Sequence, residues 1–350
     1  MRELLSEITR WRERGERVAL ATVVDVKKSA PRAAGTKMAV SSGGQIAGSV
    51  SGGCVEGAVV QIAERVIAGE GPQLLHFGIA DADSWDVGLP CGGEIVVWVE
   101  VHEPRAFEEI ARADGRAAEV TAIEGERLGA KLLVRPDGTW SGSLGSRERD
   151  ERAAEAATEL IWAETSARHE ELFIDVIAPP PRLILCGAVD VASWLCALAR
   201  VAGWRTYVVD PRARFATRDR FPDADDVIAR WPDEAFIELG GIDPATSIVA
   251  LTHDPKLDDA ALTIALRSQA GFVGAMGSRR AQADRRERLL AAGLGEGELE
   301  RLSAPVGLDL GAISTEETAL SILAEVVAAR HGRAGGRLAE GRGRIHEVHA

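Results

Sequence analysis

Cysteine is scarce in this chain, with four in 350 residues, and none of the four stands in a Cys-x-x-Cys pair. That spacing argues against a structural zinc site. In a reducing compartment it predicts free thiols. Positive charge is also in short supply: 41 Lys and Arg face 54 Asp and Glu, for a formal charge of −13. A general nucleic-acid binder needs a basic face, so nucleic acid is excluded as a partner. A phosphate-bearing ligand must then be held locally, by loop amides and a few arginines. No apolar run approaches the roughly 18 residues of a membrane span. The segment Met1 to Glu16 is charged throughout and lacks the pattern of a signal peptide. These absences predict a cytoplasmic protein without a membrane partner.

What is present suffices for two cores. A chain of 350 residues with 46% apolar content fits two domains and a terminal appendage. The first half reads as mixed α/β. Helices are predicted at Glu3 to Arg14, Val55 to Ile67, Pro104 to Asp114 and Glu148 to Ser166, the last able to bridge toward the second half. Strands are predicted at Val18 to Val26, Gln45 to Ser49, Leu74 to Phe77, Ile95 to Val101, Ala118 to Ile123 and Lys131 to Arg135. Ala178-Pro179-Pro180-Pro181 is a stiff break. Domains are accordingly predicted over 1–178 and 182–330, with a loosely ordered tail over 331–350.

Beyond the prolines strands and helices alternate strictly, which implies a parallel, doubly wound Rossmann-like sheet. Strands at Arg182 to Cys186, Arg205 to Asp210, Val227-Ile228, Ser247 to Thr252 and Gly271 to Met276 alternate with helices at Val191 to Val201, Lys256 to Ser268 and Arg279 to Ala291. A closing helix, Thr315 to Ala329, carries a capping signal at Ser314 or Thr315.

Chemistry concentrates in glycine loops. Gly48-Ser49-Val50-Ser51-Gly52-Gly53-Cys54-Val55-Glu56 packs a thiol and a carboxylate into the turn before an apolar helix. Gly52 and Gly53 can adopt angles closed to other residues and offer their amides to a ligand. Cys54 falls near a helix N-terminus, where amides and dipole favour an anion and tend to activate a thiol. Cys91-Gly92-Gly93 forms a second such loop. Between the runs Val18 to Val26 and Met38 to Val40 lies a third loop, with Arg32 and Lys37 as anion donors. Cys186, at a strand end, and Cys196, inside a helix, read as packing residues.

In the second half, Gly187-Ala188-Val189-Asp190-Val191-Ala192 stands where a dinucleotide fold puts Gly-x-Gly-x-x-Gly, and Asp210 ends the second strand, where a ribose-binding carboxylate belongs. Val189 replaces the second glycine, whose missing side chain admits the pyrophosphate, and Asp190 adds negative charge beside it. Further polar groups follow later strands. His253 and Asp254 suit acid–base or metal chemistry, or a helix cap in the case of Asp254. Gly277 to Arg280 offers a phosphate cradle, with Ser278 as cap and Arg279 as counter-charge.

The ordered set Ser29-Ala30-Pro31-Arg32, Gly48 to Glu56, Cys91-Gly92-Gly93, Val209-Asp210-Pro211-Arg212, Gly277-Ser278-Arg279-Arg280 and Pro305-Val306-Gly307-Leu308-Asp309-Leu310-Gly311-Ala312 resembles the XdhC/CoxI family of accessory proteins, from about Leu4 to Arg330. The resemblance implies a non-catalytic maturation factor for molybdenum hydroxylases such as xanthine dehydrogenase. It would bind molybdenum cofactor, as molybdopterin or its dinucleotide, assist its sulfuration with a cysteine desulfurase partner, and deliver it to the hydroxylase apoenzyme. On that reading Cys54 and Cys91 are candidates for molybdenum contact or sulfur relay, and Arg32 with the amides of Gly52 and Gly53 grips the phosphate or pterin. The cofactor-binding set is Arg32, Ser51, Gly52, Gly53, Cys54, Glu56, Cys91, Gly92, Gly93, Gly187, Asp210, Ser278 and Arg279. A homodimer is expected.

Two places depart from the family pattern. Members commonly carry Gly-Ala-Gly-His where this chain has Gly187-Ala188-Val189-Asp190, and often His-Asp-His where it has His253-Asp254-Pro255. Both lie in the second half, so the chemistry is placed on the first. The competing readings are an NAD(P)-dependent oxidoreductase using the second half and a thiol enzyme acting through Cys54.

Overall fold

The computed structural model describes residues 1–27, 32–78, 93–104 and 106–340. It divides at Pro179 and Pro180 into two compact units.

The first unit runs α1 (Leu5–Glu13), β1 (Val18–Lys27), β2 (Lys37–Ser41), β3 (Ile46–Gly48), α2 (Glu56–Ala68), β4 (Gln73–Phe77), β5 (Glu94–Val101), α3 (Ala106–Arg112), β6 (Ala117–Ala122), β7 (Lys131–Val134), β8 (Trp140–Gly142), α4 (Arg147–Ala163), β9 (Ala167–His169) and β10 (Leu172–Ile177). Among the described residues these strands make two antiparallel five-stranded sheets, in the orders β3-β2-β1-β5-β4 and β8-β7-β6-β10-β9.

Strand alternation builds the layers. In β1 and β5, Ala19, Ala21, Val23, Ile95, Val97 and Val99 turn to the apolar face of α2, meeting Val59, Ile62 and Val66. The intervening Val24, Val96 and Trp98 meet Ile123 and Phe173 of the other sheet. That sheet turns Ala118, Val120, Leu132 and Ile174 toward α4, against Ala154, Ala157 and Ile161. Helix, sheet, sheet and helix thus stack in one unit. The space between the sheets is not wholly apolar. Lys37 Nζ meets Asp175 at 2.7 Å across 138 residues of chain, and Lys131 Nζ meets Glu100 and Glu119 at 2.8 Å each. The predicted bridging role of the helix after Glu148 is corrected by this packing: α4 covers a sheet of the first unit.

The second unit runs β11 (Arg182–Cys186), α5 (Asp190–Val201), β12 (Arg205–Val209), β13 (Asp226–Ile228), α6 (Pro232–Glu238), β14 (Thr246–Ala250), α7 (Pro255–Arg267), β15 (Phe272–Ala275), α8 (Arg279–Ala291), α9 (Glu296–Leu299), β16 (Leu302–Ser303) and α10 (Thr315–Arg330). Its described strands form a parallel sheet ordered β13-β12-β11-β14-β15-β16, the doubly wound Rossmann-like order. Helices α5 and α10 cover one face, and α6, α7 and α8 the other. The order reverses between β11 and β14, which opens a crevice at their carboxyl ends.

Candidate functional site

Helix α2 begins at Glu56, and that side chain turns back over the loop in front of it. Its carboxylate accepts from Ser49 Oγ at 2.6 Å, Ser51 Oγ at 2.6 Å, and the amides of Ser51, Gly52 and Gly53 at 2.9, 3.0 and 2.8 Å. Ser51 Oγ in turn accepts from the amides of Cys54 and Val55, both at 3.0 Å. The glycines supply the backbone for this ring of donors: φ is +81° at Gly52 and +123° at Gly53. Burial alone would raise the Glu56 carboxyl, but the hydroxyls of Ser49 and Ser51 and the Ser51 amide outweigh it and bring its pKa down to about 2.

This geometry revises one expectation. The amides of Gly52 and Gly53 do not face outward for a phosphate, because the chain's own carboxylate takes them. Ser51, likewise expected to touch a cofactor, is buried and spent on the loop. Glu56 is a positioning residue. Cys54 differs from all of these: only its amide is tied down, and its thiol is exposed. The result is a rigid ring carrying an accessible sulfur at its rim. The pattern is readable in outline, since two serines and a first-turn carboxylate flank the glycines, but an internal and an external anion satisfy the same pattern.

Beside this loop lies a cleft of about 900 Å³, lined by Arg32 to Lys37, Gly48, Ser49, Ser166 and the start of the chain. Ser49 joins the two features, since its hydroxyl binds Glu56 while its residue lines the cleft. Lys37 is buried on Asp175, so it is a structural cation rather than a ligand donor. Arg32 is exposed and has no hydrogen-bond or ion-pair partner among the described residues. The structure therefore gathers Arg32 with Ser49, whereas Cys54 does not line the cleft. Cys91 and Gly92 lie outside the described residues. Gly93 is buried just before β5.

In the second unit Gly187 has φ +124°, and a Cβ there would run into the Thr252 methyl. Asp210 is buried and accepts from the Ala188 amide at 2.8 Å, the Arg212 amide at 2.9 Å, and Arg212 Nε and Nη2 at 2.9 and 2.6 Å. Burial alone would raise it, but the Arg212 guanidinium and those amides hold it below the usual carboxylate range. The carboxylate expected to take a ribose hydroxyl is thus saturated by its own chain. Asp190 leans to Arg220 at 3.2 Å, and Arg220 also donates to the Ala188 carbonyl at 3.0 Å.

Farther along the carboxyl edge, Asp254 caps α7 by accepting from the Lys256 amide at 3.0 Å. Ser278 caps α8 through the Ala281 amide at 3.2 Å, and Arg279 is exposed. Ser278 and Arg279 do not line the crevice that holds Arg212, His253 and Asp254. The buried pair Arg285 and Asp258, 2.9 Å apart, escapes sequence reasoning, because Arg285 sits on a helix polar enough to read as solvated. Cys186 and Cys196 are buried as packing predicts. Burial pushes the Cys186 thiol well up and, with the acidic residues nearby, raises Cys196 to about 11 despite a bond to Thr206. Among the described residues no three His, Cys, Asp or Glu side chains gather where they would hold a metal ion.

No helix among the described residues is long and apolar enough to cross a membrane. Comparison with known proteins gives a consistent picture. Residues 183–326 match the family model described as the XdhC Rossmann domain, and residues 11–78 match that of the XdhC and CoxI family. A probable xanthine dehydrogenase subunit from Bacillus subtilis is 29% identical over 90% of this chain and 94% of its own. The molybdenum cofactor insertion chaperone PaoD of Escherichia coli is 25% identical over 90% of this chain and 84% of its own. A crystal structure from Bacillus halodurans, described as a xanthine dehydrogenase, shares the fold with a TM-score of 0.65 at 24% identity, covering 97% of this chain and 98% of that one.

Proposed function

We propose, from the matches of residues 183–326 to the XdhC Rossmann domain model and of residues 11–78 to the XdhC and CoxI family model, that the chain is a member of that family and an accessory protein for molybdenum hydroxylases of the xanthine dehydrogenase type. In this reading it holds molybdenum cofactor as cargo, assists its sulfuration and passes it to the hydroxylase apoenzyme. The single observation that carries the proposal to this chain's own residues is an exposed thiol on a loop that adjoins, through Ser49, a cleft holding Arg32.

The residues present fit such a cargo. Arg32 is the cation of the cleft that no described residue neutralises, and it suits the phosphate of a metallopterin. Cys54 offers a soft sulfur ligand. The cargo's chemistry is that of an oxidation-sensitive metal centre awaiting a sulfido ligand. This chain's part is to hold the anion, keep the loop rigid through Glu56 and present sulfur. The family relation also supports partnership with a cysteine desulfurase, and a homodimer in solution belongs to the same proposal.

The test is expression in a host that makes molybdenum cofactor, anaerobic purification, and assay of bound molybdenum and pterin. Near-stoichiometric pterin, lost in Arg32→Ala and stripped of molybdenum in Cys54→Ala, is the expected result. Protein free of pterin, together with unchanged sulfido content in every hydroxylase of a strain lacking this chain, would overturn it.

A further inference from the structure

The parallel unit carries a crevice of about 640 Å³ at the edge where its strand order reverses, with Val189, Arg212, Asp254 and Thr318 among the residues around it. Its size suits one nucleoside-sized molecule. This is the place where a doubly wound fold takes a dinucleotide, but each device that serves a pyrophosphate is altered. Val189 puts a side chain where the backbone must approach the phosphates. Asp210 is filled by Arg212 and leaves no acceptor for a ribose hydroxyl. Arg212 is charge-matched by Asp210, while Asp254 faces the same crevice with no cation bonded to it.

The local balance is therefore negative, which repels phosphate. The remaining features favour a flat neutral ring. Val191, Leu251, Met276 and Ile313 give apolar walls. Arg212 is fixed by two bonds to Asp210 and by the Phe215 ring at 4.9 Å, and its Nη1 donates to nothing among the described residues. Asp254 uses Oδ1 for the helix cap and keeps its second oxygen. One fixed donor and one acceptor then line a slot whose apolar walls are shared with His253, Thr315 and Thr318.

We infer that this crevice binds an uncharged, flat nitrogen heterocycle of nucleoside size, with ring N–H groups on Asp254 and a ring acceptor on Arg212. Purine nucleosides and free pterins share that chemistry. The inference rests on the second unit alone and is independent of what the first unit holds.

The test is calorimetric titration of the full chain with guanosine, 6-(hydroxymethyl)pterin, GMP and NAD⁺. Saturable binding of guanosine or the pterin is expected, and the tighter of the two names the source. GMP should bind at least roughly tenfold more weakly than guanosine, and NAD⁺ not saturably. Asp254→Asn keeps a capping residue, so folding is retained. It should cost the neutral ligands roughly tenfold while narrowing the gap between guanosine and GMP. Thr318→Phe, which fills the slot from α10, should abolish binding. The inference is overturned if GMP or NAD⁺ binds as tightly as guanosine, if no neutral ring binds up to its solubility limit, or if both variants bind like the parent.

Discussion

Each unit has a glycine turn closed by its own carboxylate, and the two closures differ in kind. Glu56 is held by two hydroxyls and three amides, and no cation bonds to it among the described residues. Asp210 is held by two amides and a guanidinium that takes it through two nitrogens. Around Gly52 and Gly53 an added Cβ would meet nothing within 4 Å, whereas Gly187 is packed on Thr252. The first turn is an open frame that leaves a thiol accessible, and the second is a packing joint. The same residue type answers to backbone angle in one turn and to space as well in the other.

Breaking the second joint should have the larger effects. Arg212→Ala leaves Asp210 buried without its cation and should cost about 3 kcal/mol, read as a lowered denaturant midpoint. Gly187→Ala adds both strain and a clash, for an expected loss of about 2–3 kcal/mol. The matching change Gly52→Ala adds strain alone, at φ +81°, and should cost about 1 kcal/mol. Equal losses at Gly187 and Gly52 would erase the distinction drawn between the turns.

The open frame has its own signature in acid. Folded Glu56 takes its proton near pH 2, against an ordinary value of 4.5. Its stabilisation is therefore complete above about pH 4.5 and lost as the pH falls toward 2. Glu56→Gln should cost about 1–2 kcal/mol at neutral pH, with solvent screening allowed for, and the difference should shrink through that acid window. A gap that stays constant between pH 5 and pH 3 would remove the anionic role. Smallest of all, Cys54→Ala should leave the melting temperature within about 1 °C, since the thiol bears no packing load.

The parallel unit is the more legible of the two. Its strands are short apolar runs separated by helices, of which α7 and α8 carry caps at Asp254 and Ser278, and α10 starts on Ser314 with Glu317 completing a capping box. What escapes are α6, α9 and β16, which have 7, 4 and 2 residues, too short for periodicity to register. In the first unit β8 is also too short, at 3 residues, while β9 and β10 escape for another reason. Helix α4 ends on Glu164 at φ +53°, and the β9–β10 turn carries Glu170 at φ +54°. Left-handed positions held by glutamate give no glycine or proline signal, so the helix reads on to Ser166 and the hairpin stays hidden. The candidate site is half legible. Residue types mark the loops, but whether an amide serves a ligand or a neighbouring carboxylate is decided by a side-chain direction that no spacing encodes.

The link between Lys37 and Asp175 sets an order of events in synthesis. Lys37 emerges early on β2, and its counter-charge follows 138 residues later on β10. Until then an ammonium destined for the space between two sheets has the Gly35 carbonyl at 2.9 Å but no counter-charge, so the first sheet cannot close over it without a large penalty. At roughly 5–20 residues per second, the nascent chain spends about 7–28 seconds in this half-made state. The first unit is thus completed only as its last strand arrives, and a chain interrupted within α4 would expose its apolar faces to whatever is near.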